Sequence, residues 1–506
     1  MKKLVYKISA LALSVFMLFG AVGCGPSKKK GGSGTISISL WESGWGAEWL
    51  YAMADAFNEE YPGYEMDIHA SSSDGDITNQ LPNPDQHEID LFMGCNTDPE
   101  LYAAYYEKLD DVVAGVNDGE TRTVGDKIGS EMLSMIQNAD GHYDKLYYGT
   151  GYISIMYKQD VFTAHGYEVP NTTDEMVALV EKMKSDGVVP FIHFTNGGYW
   201  HCMLWTWAIQ YAGAKDFYSL SQNPTLADLT DDENGIPQGL NALYSLIGDL
   251  DNYYSGSSSL DFSGAQSIYL SSAEEAGEEI AMMANGAWME NELKYSESDL
   301  NKTVKAMKTP VVSSIINKCT TIRDDATLSA VISAIDSGKT SYSGVSEQDF
   351  NRIAVARSVE VTNAPGLEIC IPNYSDNIEG AKEFVKFFFS DKALQIWFEK
   401  TNVRQFADFD DATLSYSDKN LSEFGKSQLA IMNSSNPVAE GRPHSSHKIF
   451  VAGGASLVAG FDNAGYAASM VSYPFKTDAQ IWTAIKSNIE SKWATYWQTA
   501  GLDVPD

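Results

Sequence analysis

The N-terminal part of the chain alternates strand-like and helix-like patterns, and this order restricts the fold more than any other feature. Residues 36–40 alternate apolar side chains with serine, which is the period-two pattern of a strand. Residues 45–57 carry apolar side chains at helical spacing, and strand-like runs return at residues 66–68 and 88–93. Strand, helix and strand in succession predict a βαβ unit, and therefore an α/β fold with a mainly parallel sheet.

Aromatic and polar residues directly follow two of these strands. Trp41 and Glu42 come after the first strand, and Asn96 and Asp98 come after the third. In parallel sheets, ligands bind beyond the carboxyl ends of the strands. We therefore expect these four residues to line a binding site.

The stretch 280–293 ends in residues suited to the rim of a pocket. It begins with an apolar run typical of a buried strand. Asn285–Gly286 predicts a tight turn, because both residue types tolerate positive φ. Trp288, Glu290 and Asn291 follow at once. Two interpretations stay open: the Trp288 ring lines a pocket, or it fills a core while its acidic neighbours face solvent.

The segment Asn-Gly-x-Trp at 285–288 resembles the signature of family 1 extracellular solute-binding proteins. These are maltose-binding-protein-like lipoproteins that deliver carbohydrates to ATP-driven (ABC) importers. The segments 149–175 and 377–391 are similar to two further blocks of the family, with Thr173 where the family usually has Trp. In the family the Trp after Asn-Gly stacks on a sugar ring, so the resemblance implies this role for Trp288.

The resemblance also implies a two-lobed periplasmic-binding-protein-like fold of type II, with a hinge of three crossing segments at 141–158, 303–312 and 366–372. The implied organisation is a lipoprotein signal peptide at 1–24, a flexible tether at 25–34, first-lobe segments at 35–151 and 304–370 with an insertion at 313–365, and second-lobe segments at 152–303 and 371–506.

The aromatic segment 194–211 contributes further candidates. Most of its rings follow helical spacing and are expected in the core. Asn196, Tyr199 and Trp200, at its N-terminal edge, are the candidates for ligand contact. By resemblance, Tyr152 in the first crossing and Arg442 in the C-terminal tail are added to the ligand-binding set.

Charge and motif content exclude several functions. Asp and Glu total 68 against 35 Lys and Arg, giving a net charge of −33, so a nucleic-acid partner is not expected. The cysteines lack metal or redox spacing, so they are either buried thiols or two disulfides. We expect no cofactor and no metal, and the two histidines at 444–447 lack a ligand set.

The predicted function is a monomeric receptor that binds a sugar, in particular an oligosaccharide, between its lobes and delivers it to ABC permease subunits. It is not expected to be an enzyme. One alternative is a cell-surface glycoside hydrolase, because aromatic rings and paired carboxylates also serve sugar cleavage. The other is a receptor for a non-sugar solute.

The N-terminus resembles that of a bacterial lipoprotein. Lysines at 2, 3 and 7 precede an apolar run at 8–19 that is too short to span a bilayer permanently. Ala21–Cys24 resembles a lipobox, in which Cys24 is diacylated and becomes the mature N-terminus. The Gly- and Lys-rich segment 25–34 predicts a flexible tether at an anionic membrane. The expected location is the extracellular face of the cell membrane.

Replacing Cys24 tests this location. Cys24→Ser removes the thiol that would carry the lipid, so we expect the variant to leave the membrane fraction or to remain unprocessed. Detergent partitioning and mass spectrometry of the mature N-terminus measure both effects. A wild-type protein that is wholly soluble, with an unmodified N-terminus, would contradict the prediction.

Overall fold

A computed structural model of the chain describes residues 32–73, 79–83, 88–95, 102–138, 140–149, 151–194, 197–222, 224–271, 273–293, 304–362, 366–410, 421–434, 436–439 and 463–504. The described strands are β1 Gly34–Trp41, β2 Tyr64–Ser71, β3 Leu91–Cys95, β4 Leu146–Tyr147, β5 Ile153–Lys158, β6 Val189–Ile192, β7 Ile280–Gly286, β8 Val304–Met307, β9 Val359–Thr362, β10 Glu368–Cys370 and β11 Asn436–Ala439.

The described α-helices are α1 Glu48–Glu60, α2 Asp110–Val113, α3 Val124–Ile128, α4 Ser130–Ile136, α5 Gln159–His165, α6 Thr173–Ser185, α7 Trp200–Ala212, α8 Ala214–Gln222, α9 Leu226–Thr230, α10 Ile236–Ile247, α11 Phe262–Leu270, α12 Ala273–Ala276, α13 Met289–Leu293, α14 Asp325–Asp336, α15 Glu347–Ser358, α16 Ile378–Phe388, α17 Asp391–Thr401, α18 Glu423–Ser434, α19 Asn463–Val471 and α20 Asp478–Thr499.

The first lobe is built on a five-stranded sheet in the order β2-β1-β3-β10-β4. Strand β1 pairs in parallel with β2 and β3, and α1 connects β1 to β2, which confirms the predicted βαβ unit. Strand β10 is antiparallel to both of its neighbours, so the sheet is mixed and the expectation of a mainly parallel sheet is wrong. Ile36, Ile38 and Leu40 are fully buried, because the sheet is covered by helices that include α1 and α16.

Aromatic rings fill the core of the first lobe. Trp49 of α1 lies 4.8 Å from the ring of Trp397 on α17 and 5.3 Å from that of Tyr148. Trp397 also contacts Trp45, with ring centroids 5.3 Å apart. These edge-on and tilted arrangements are the favoured geometries for aromatic pairs. They hold α17 against α1 in the first lobe.

The second lobe is built on a four-stranded sheet in the order β6-β7-β5-β8. Strand β5 is antiparallel to β7 and β8, and β6 is parallel to β7. Helix α7 is buried along nearly its whole length, because α10, α19, α15 and β9 pack around it. Helix α10 in turn packs against α20.

The lobe assignment predicted for the second half of the chain is wrong. Residues 304–362 lie in the second lobe, since β8 pairs with β5 and α15 packs against α7. Residues 366–401 lie in the first lobe, since β10 pairs with β3 and α16 packs against β1. A short apolar strand pattern does not reveal which sheet the strand joins, so the sequence allowed either assignment.

The described elements show three passages of the chain between the lobes, as predicted, but one passage lies elsewhere. The passages connect β4 to β5, β9 to β10, and α17 to α18. The predicted crossing at 303–312 is not one of them. The first two passages touch, because Gly149 N–H donates to the Gly366 carbonyl at 2.7 Å and Tyr148 N–H donates to the Leu367 carbonyl at 3.1 Å.

Gly149→Ala tests how tightly these two passages pack. A Cβ atom at Gly149 would lie 2.4 Å from the Gly366 carbonyl oxygen, which is backbone and has little room to move. We expect a loss of about 1–3 kcal/mol in the free energy of unfolding, measured by denaturant titration. In the control Gly425→Ala the nearest atom, the Ser422 hydroxyl oxygen, is 3.3 Å away. Equal stabilities for the two variants would contradict the prediction.

Candidate functional site

Strand β7 ends where the two lobes meet. All seven residues of β7 are buried, which confirms the predicted buried strand. The predicted reason for Asn285–Gly286 is wrong, since neither residue has a positive φ. Gly286 is needed for space instead: a Cβ atom there would lie 2.3 Å from atoms of the Trp288 ring. The indole therefore folds back and packs over the Gly286 backbone.

The Trp288 ring lies in the contact between the lobes and is only 7% exposed. From the second lobe, the Tyr199 ring approaches it edge-on with centroids 5.5 Å apart. From the first lobe, Trp45 approaches at 6.2 Å, and a Cβ atom at Gly44 would lie 2.5 Å from Trp288 Cδ1. In this conformation the ring is enclosed by both lobes, but the acidic neighbour Glu292 is enclosed as well, which the core interpretation did not expect.

Three half-buried aromatic side chains, Phe194, Tyr199 and Phe262, form a cluster that contacts Trp288 through Tyr199, and we call them the aromatic wall. Phe194 lies 5.5 Å from Tyr199 and 5.1 Å from Phe262, and Tyr199 lies 5.9 Å from Phe262, all edge to face. Phe194 follows β6 and Phe262 begins α11, so two separate elements build the wall.

Sequence reasoning found Tyr199 but not Phe262 or Phe194. Phe262 lies outside the segments 149–175, 285–288 and 377–391 that resemble the family. A local signal was present: Asp261 caps α11 by accepting a hydrogen bond from Gly264 N–H at 2.7 Å. The cap fixes where α11 begins and therefore that Phe262 is its first residue. It does not show which other residues the Phe262 ring contacts.

Several predicted ligand contacts occupy other positions. Trp200 is fully buried and packs against Phe191 at 4.6 Å, so it belongs to the core and its prediction as a surface of the pocket is wrong. Tyr152 is buried in the second lobe, and burial raises the pKa of its phenol. Trp41 and Glu42 are half-buried at the end of β1. The Glu42 carbonyl accepts from Trp45 N–H, which holds the turn that reaches Trp288.

The polar side chains of α13 bind the first lobe. Asn291 is buried and its Nδ2 donates to the Thr401 carbonyl at 2.8 Å. Asn402 Nδ2 donates to Glu290 Oε2 at 3.4 Å. Thr401 and Asn402 end α17, so both contacts join the lobes. In this conformation the Asn291 side chain connects the two lobes, and its amide nitrogen already donates a hydrogen bond to the first lobe.

Glu292 of α13 is a largely buried carboxyl group with a raised pKa. Its Oε2 accepts from Gln266 Nε2 at 2.7 Å, and a Cβ atom at Gly44 would lie 2.8 Å from its Oε1. Burial raises the pKa of Glu292 from the usual 4.5 to about 7, and the hydrogen bond from Gln266 offsets part of this rise. The carboxyl group therefore titrates near neutral pH at the contact between the lobes.

Some predicted residues lie outside the described part of the chain: Asn96, Asp98, Asn196, Arg442 and the lipidation residue Cys24. Cys202, Cys319 and Cys370 are described, and all three are buried thiols. Within the described ranges, no group of three or more His, Cys, Asp or Glu side chains is arranged to hold a metal ion. No helix in those ranges is both long and apolar enough to cross a membrane.

The acidity of Glu292 predicts a pH-dependent stability. With its pKa raised, the folded protein holds more protons than the unfolded chain between pH 4.5 and 7. The contribution of Glu292 to the free energy of unfolding is fully present below pH 4.5. It is lost as the pH rises to about 7, and this loss is up to about 3 kcal/mol. Glu292→Gln should remove this loss. The melting temperature of the variant minus that of wild type should therefore increase as the pH is raised from 4.5 to 8.

An exposed carboxylate provides the control for that measurement. Glu65 is exposed on β2, and Glu65→Gln should leave the pH profile unchanged. A Glu292→Gln profile parallel to that of wild type would show that the Glu292 carboxyl group is not enclosed as described.

Comparisons with known proteins agree with this architecture. The family model described as bacterial extracellular solute-binding protein matches residues 52–408. A search of curated proteins finds no match to the sequence. Among solved structures, the bacterial solute receptor AcbH, whose structure is described as revealing a substrate preference for β-D-galactopyranose, is 15% identical with a TM-score of 0.60. The alignment covers 91% of this chain and 99% of that chain.

Two further structures have the same fold. The GacH receptor of Streptomyces glaucescens GLA.O, solved unliganded and with acarbose, is 14% identical with a TM-score of 0.58, covering 93% of this chain and 99% of that one. Maltose-bound MalE3 of T. maritima is 16% identical with a TM-score of 0.55, covering 90% and 99%. These likenesses confirm the predicted two-lobed α/β fold. The family match extends over more than half of the chain, which therefore belongs to the bacterial extracellular solute-binding protein family.

Proposed function

We propose that this protein is a cell-surface receptor that binds a carbohydrate between its two lobes. The observation that carries the proposal is the aromatic wall of Phe194, Tyr199 and Phe262 beside Trp288, at the contact between the lobes. Aromatic faces suit the C–H faces of sugar rings, and ligand pockets are typically lined by aromatic side chains. Three structural neighbours are described with galactopyranose, acarbose or maltose, which supports the same ligand class.

The two lobes would have separate tasks in binding. The second lobe supplies the aromatic wall, and the first lobe supplies Trp41 and Glu42 from the end of β1. The Glu42 carboxylate would accept hydrogen bonds from sugar hydroxyls, which charge strengthens. Asn96 and Asp98, which follow β3, would join it from the same edge of the sheet. A sugar that contacts both lobes favours the closed arrangement, because it binds that state more tightly than the open one.

Entry of a ligand would require the lobes to separate at Trp288. In the present conformation Gly44 and Trp45 cover the ring from the first lobe. Movement of the first lobe would uncover the indole face for stacking. The three chain passages, with the paired backbone at Gly149 and Gly366, would form the hinge.

Delivery and anchoring complete the proposal. The lipobox-like segment at 21–24 supports diacylation of Cys24. Residues 25–33 would tether the folded part, which begins with β1 at Gly34 and not after it as predicted, to the extracellular face of the membrane. The loaded receptor would release its sugar to the permease subunits of an ABC importer. The proposal is a binding protein and not an enzyme.

A glycoside hydrolase is the alternative that one observation favours. The pKa of Glu292 is raised to about 7, as in carboxyl groups that act as general acids. A hydrolase also needs a second carboxylate about 5–10 Å away. Glu290 is two residues away along α13, but it accepts a hydrogen bond from Asn402 of the first lobe. Receptor and hydrolase make opposite predictions for the fate of a bound glycan.

A thermal-shift screen against malto-, xylo-, galacto- and chito-oligosaccharides tests the proposal. A ligand at one hundred times its Kd stabilises the folded state by about 2.7 kcal/mol, which raises the melting temperature by several degrees. We expect at least one series to do so and the glycan to remain intact for many hours by chromatography. No shift with any glycan would contradict the proposal, and steady product formation that disappears in Glu292→Gln would establish the hydrolase.

Phe262→Ala tests the aromatic wall. Because this ring is half-buried, its loss should lower sugar affinity about tenfold, measured by calorimetry, with little change in melting temperature. Tyr244 is a half-buried ring on α10 outside the wall, and Tyr244→Ala should leave affinity unchanged. Unchanged affinity in Phe262→Ala would remove the wall from the binding site.

A further inference from the structure

Tyr473 and Phe475 form an aromatic pair that the fold leaves in solvent. Tyr473 is 89% exposed and Phe475 is 51% exposed, whereas most aromatic side chains of the described residues are buried. Their ring centroids are 6.3 Å apart with the planes nearly perpendicular, so they present one joint apolar surface. Adjacent exposed rings of this kind mark binding sites more often than isolated exposed residues do.

The segment before the pair is held near the aromatic wall. It follows α19, which packs against α7. A Cβ atom at Gly197 would lie 3.6 Å from both the Ala467 side chain and the Val471 side chain of α19. Gly197 is two residues before Tyr199 of the wall. The C-terminal end of α19 therefore covers the loop that carries Tyr199.

The segment after the pair is held at the same end of α7. Asp478 begins α20, and its Oδ2 accepts from Asn241 Nδ2 on α10 at 2.8 Å. Two residues earlier on α10, Gly239 packs against α7, where a Cβ atom would lie 2.4 Å from the Leu204 carbonyl oxygen. Leu204 lies in the first half of α7. The segment 472–477 thus runs from α19, which contacts Gly197, to the start of α20, which binds α10.

The distance between the pair and the wall is limited by the chain. Tyr473 is the second residue after Val471, and Tyr199 is the second residue after Gly197. Each of these stretches spans at most about 7 Å. Because Val471 contacts Gly197, the Cα atom of Tyr473 lies within roughly 20 Å of the Cα atom of Tyr199. This limit is an upper bound, and an oligosaccharide of several units can span it.

From this placement we propose that Tyr473 and Phe475 form an outer sugar-stacking site that extends the cleft of the second lobe. The ligand would then be an oligosaccharide long enough to contact both the aromatic wall and this pair. The inference rests on the proposed function, since it assigns a length to the ligand of that same site. Stacking on exposed rings adds affinity for the distal units only, so its effect depends on chain length.

Calorimetry with a matched disaccharide and hexasaccharide tests the proposal. The probes are maltose and maltohexaose, with the xylo- and chito-series as further pairs, and the protein is the full folded receptor. Tyr473→Ala and Phe475→Ala should each weaken hexasaccharide binding about three- to tenfold and leave disaccharide binding within about twofold of wild type. Tyr51 is an exposed tyrosine on α1, 48% exposed, and Tyr51→Ala is the control that should change neither affinity.

The outcomes separate this inference from the proposed function. If wild type binds a hexasaccharide and the Tyr473 and Phe475 variants bind it unchanged, the outer site is refuted while the receptor stands. If wild type binds only disaccharides, or if both probes lose affinity equally, the outer site is also refuted. Loss of transporter stimulation without loss of hexasaccharide affinity would assign the pair to protein docking and refute it as well. Failure of wild type to bind any sugar would refute both proposals.

Discussion

The packing of the Trp288 ring on Gly286 is the contact on which the junction between the lobes depends. Because Gly286 has no side chain, the indole folds back over the end of β7 and fills the space between Tyr199 of the second lobe and Trp45 of the first. Gly44 is a glycine for the same reason, since any side chain there would meet the indole. Two glycines from different lobes thus accommodate one ring.

The helix that follows this ring extends the junction with polar contacts. Asn291 binds the Thr401 carbonyl, Glu290 binds Asn402, and Glu292 lies against Gly44 with its pKa raised to about 7 by burial. Lobe closure therefore places a titrating carboxyl group beside the first lobe. Enclosure favours the protonated form of the Glu292 carboxyl group, because the neutral form has a smaller desolvation cost than the carboxylate.

Much of the fold was predictable from local patterns, and much of the site was not. The alternation at 36–40 predicted β1, and the apolar run at 280–284 predicted β7, because both follow directly from which side chains are buried. The second-half lobe assignment failed at β8, since strand pairing is a non-local choice that a four-residue strand does not encode. Trp200 was wrongly assigned to the pocket because the sequence does not show whether a ring at the start of a helix faces the core or the ligand site. Phe262 was missed because its neighbours along the chain do not belong to the aromatic wall.

A crystal structure with a bound glycan tests the central claim most directly, because the claim is a location. The account predicts sugar rings within about 4 Å of Phe262, Tyr199 or Trp288, which is the range of van der Waals contact, with further hydrogen bonds from the first lobe near Glu42. A glycan held by one lobe alone, or bound away from these rings, would contradict it.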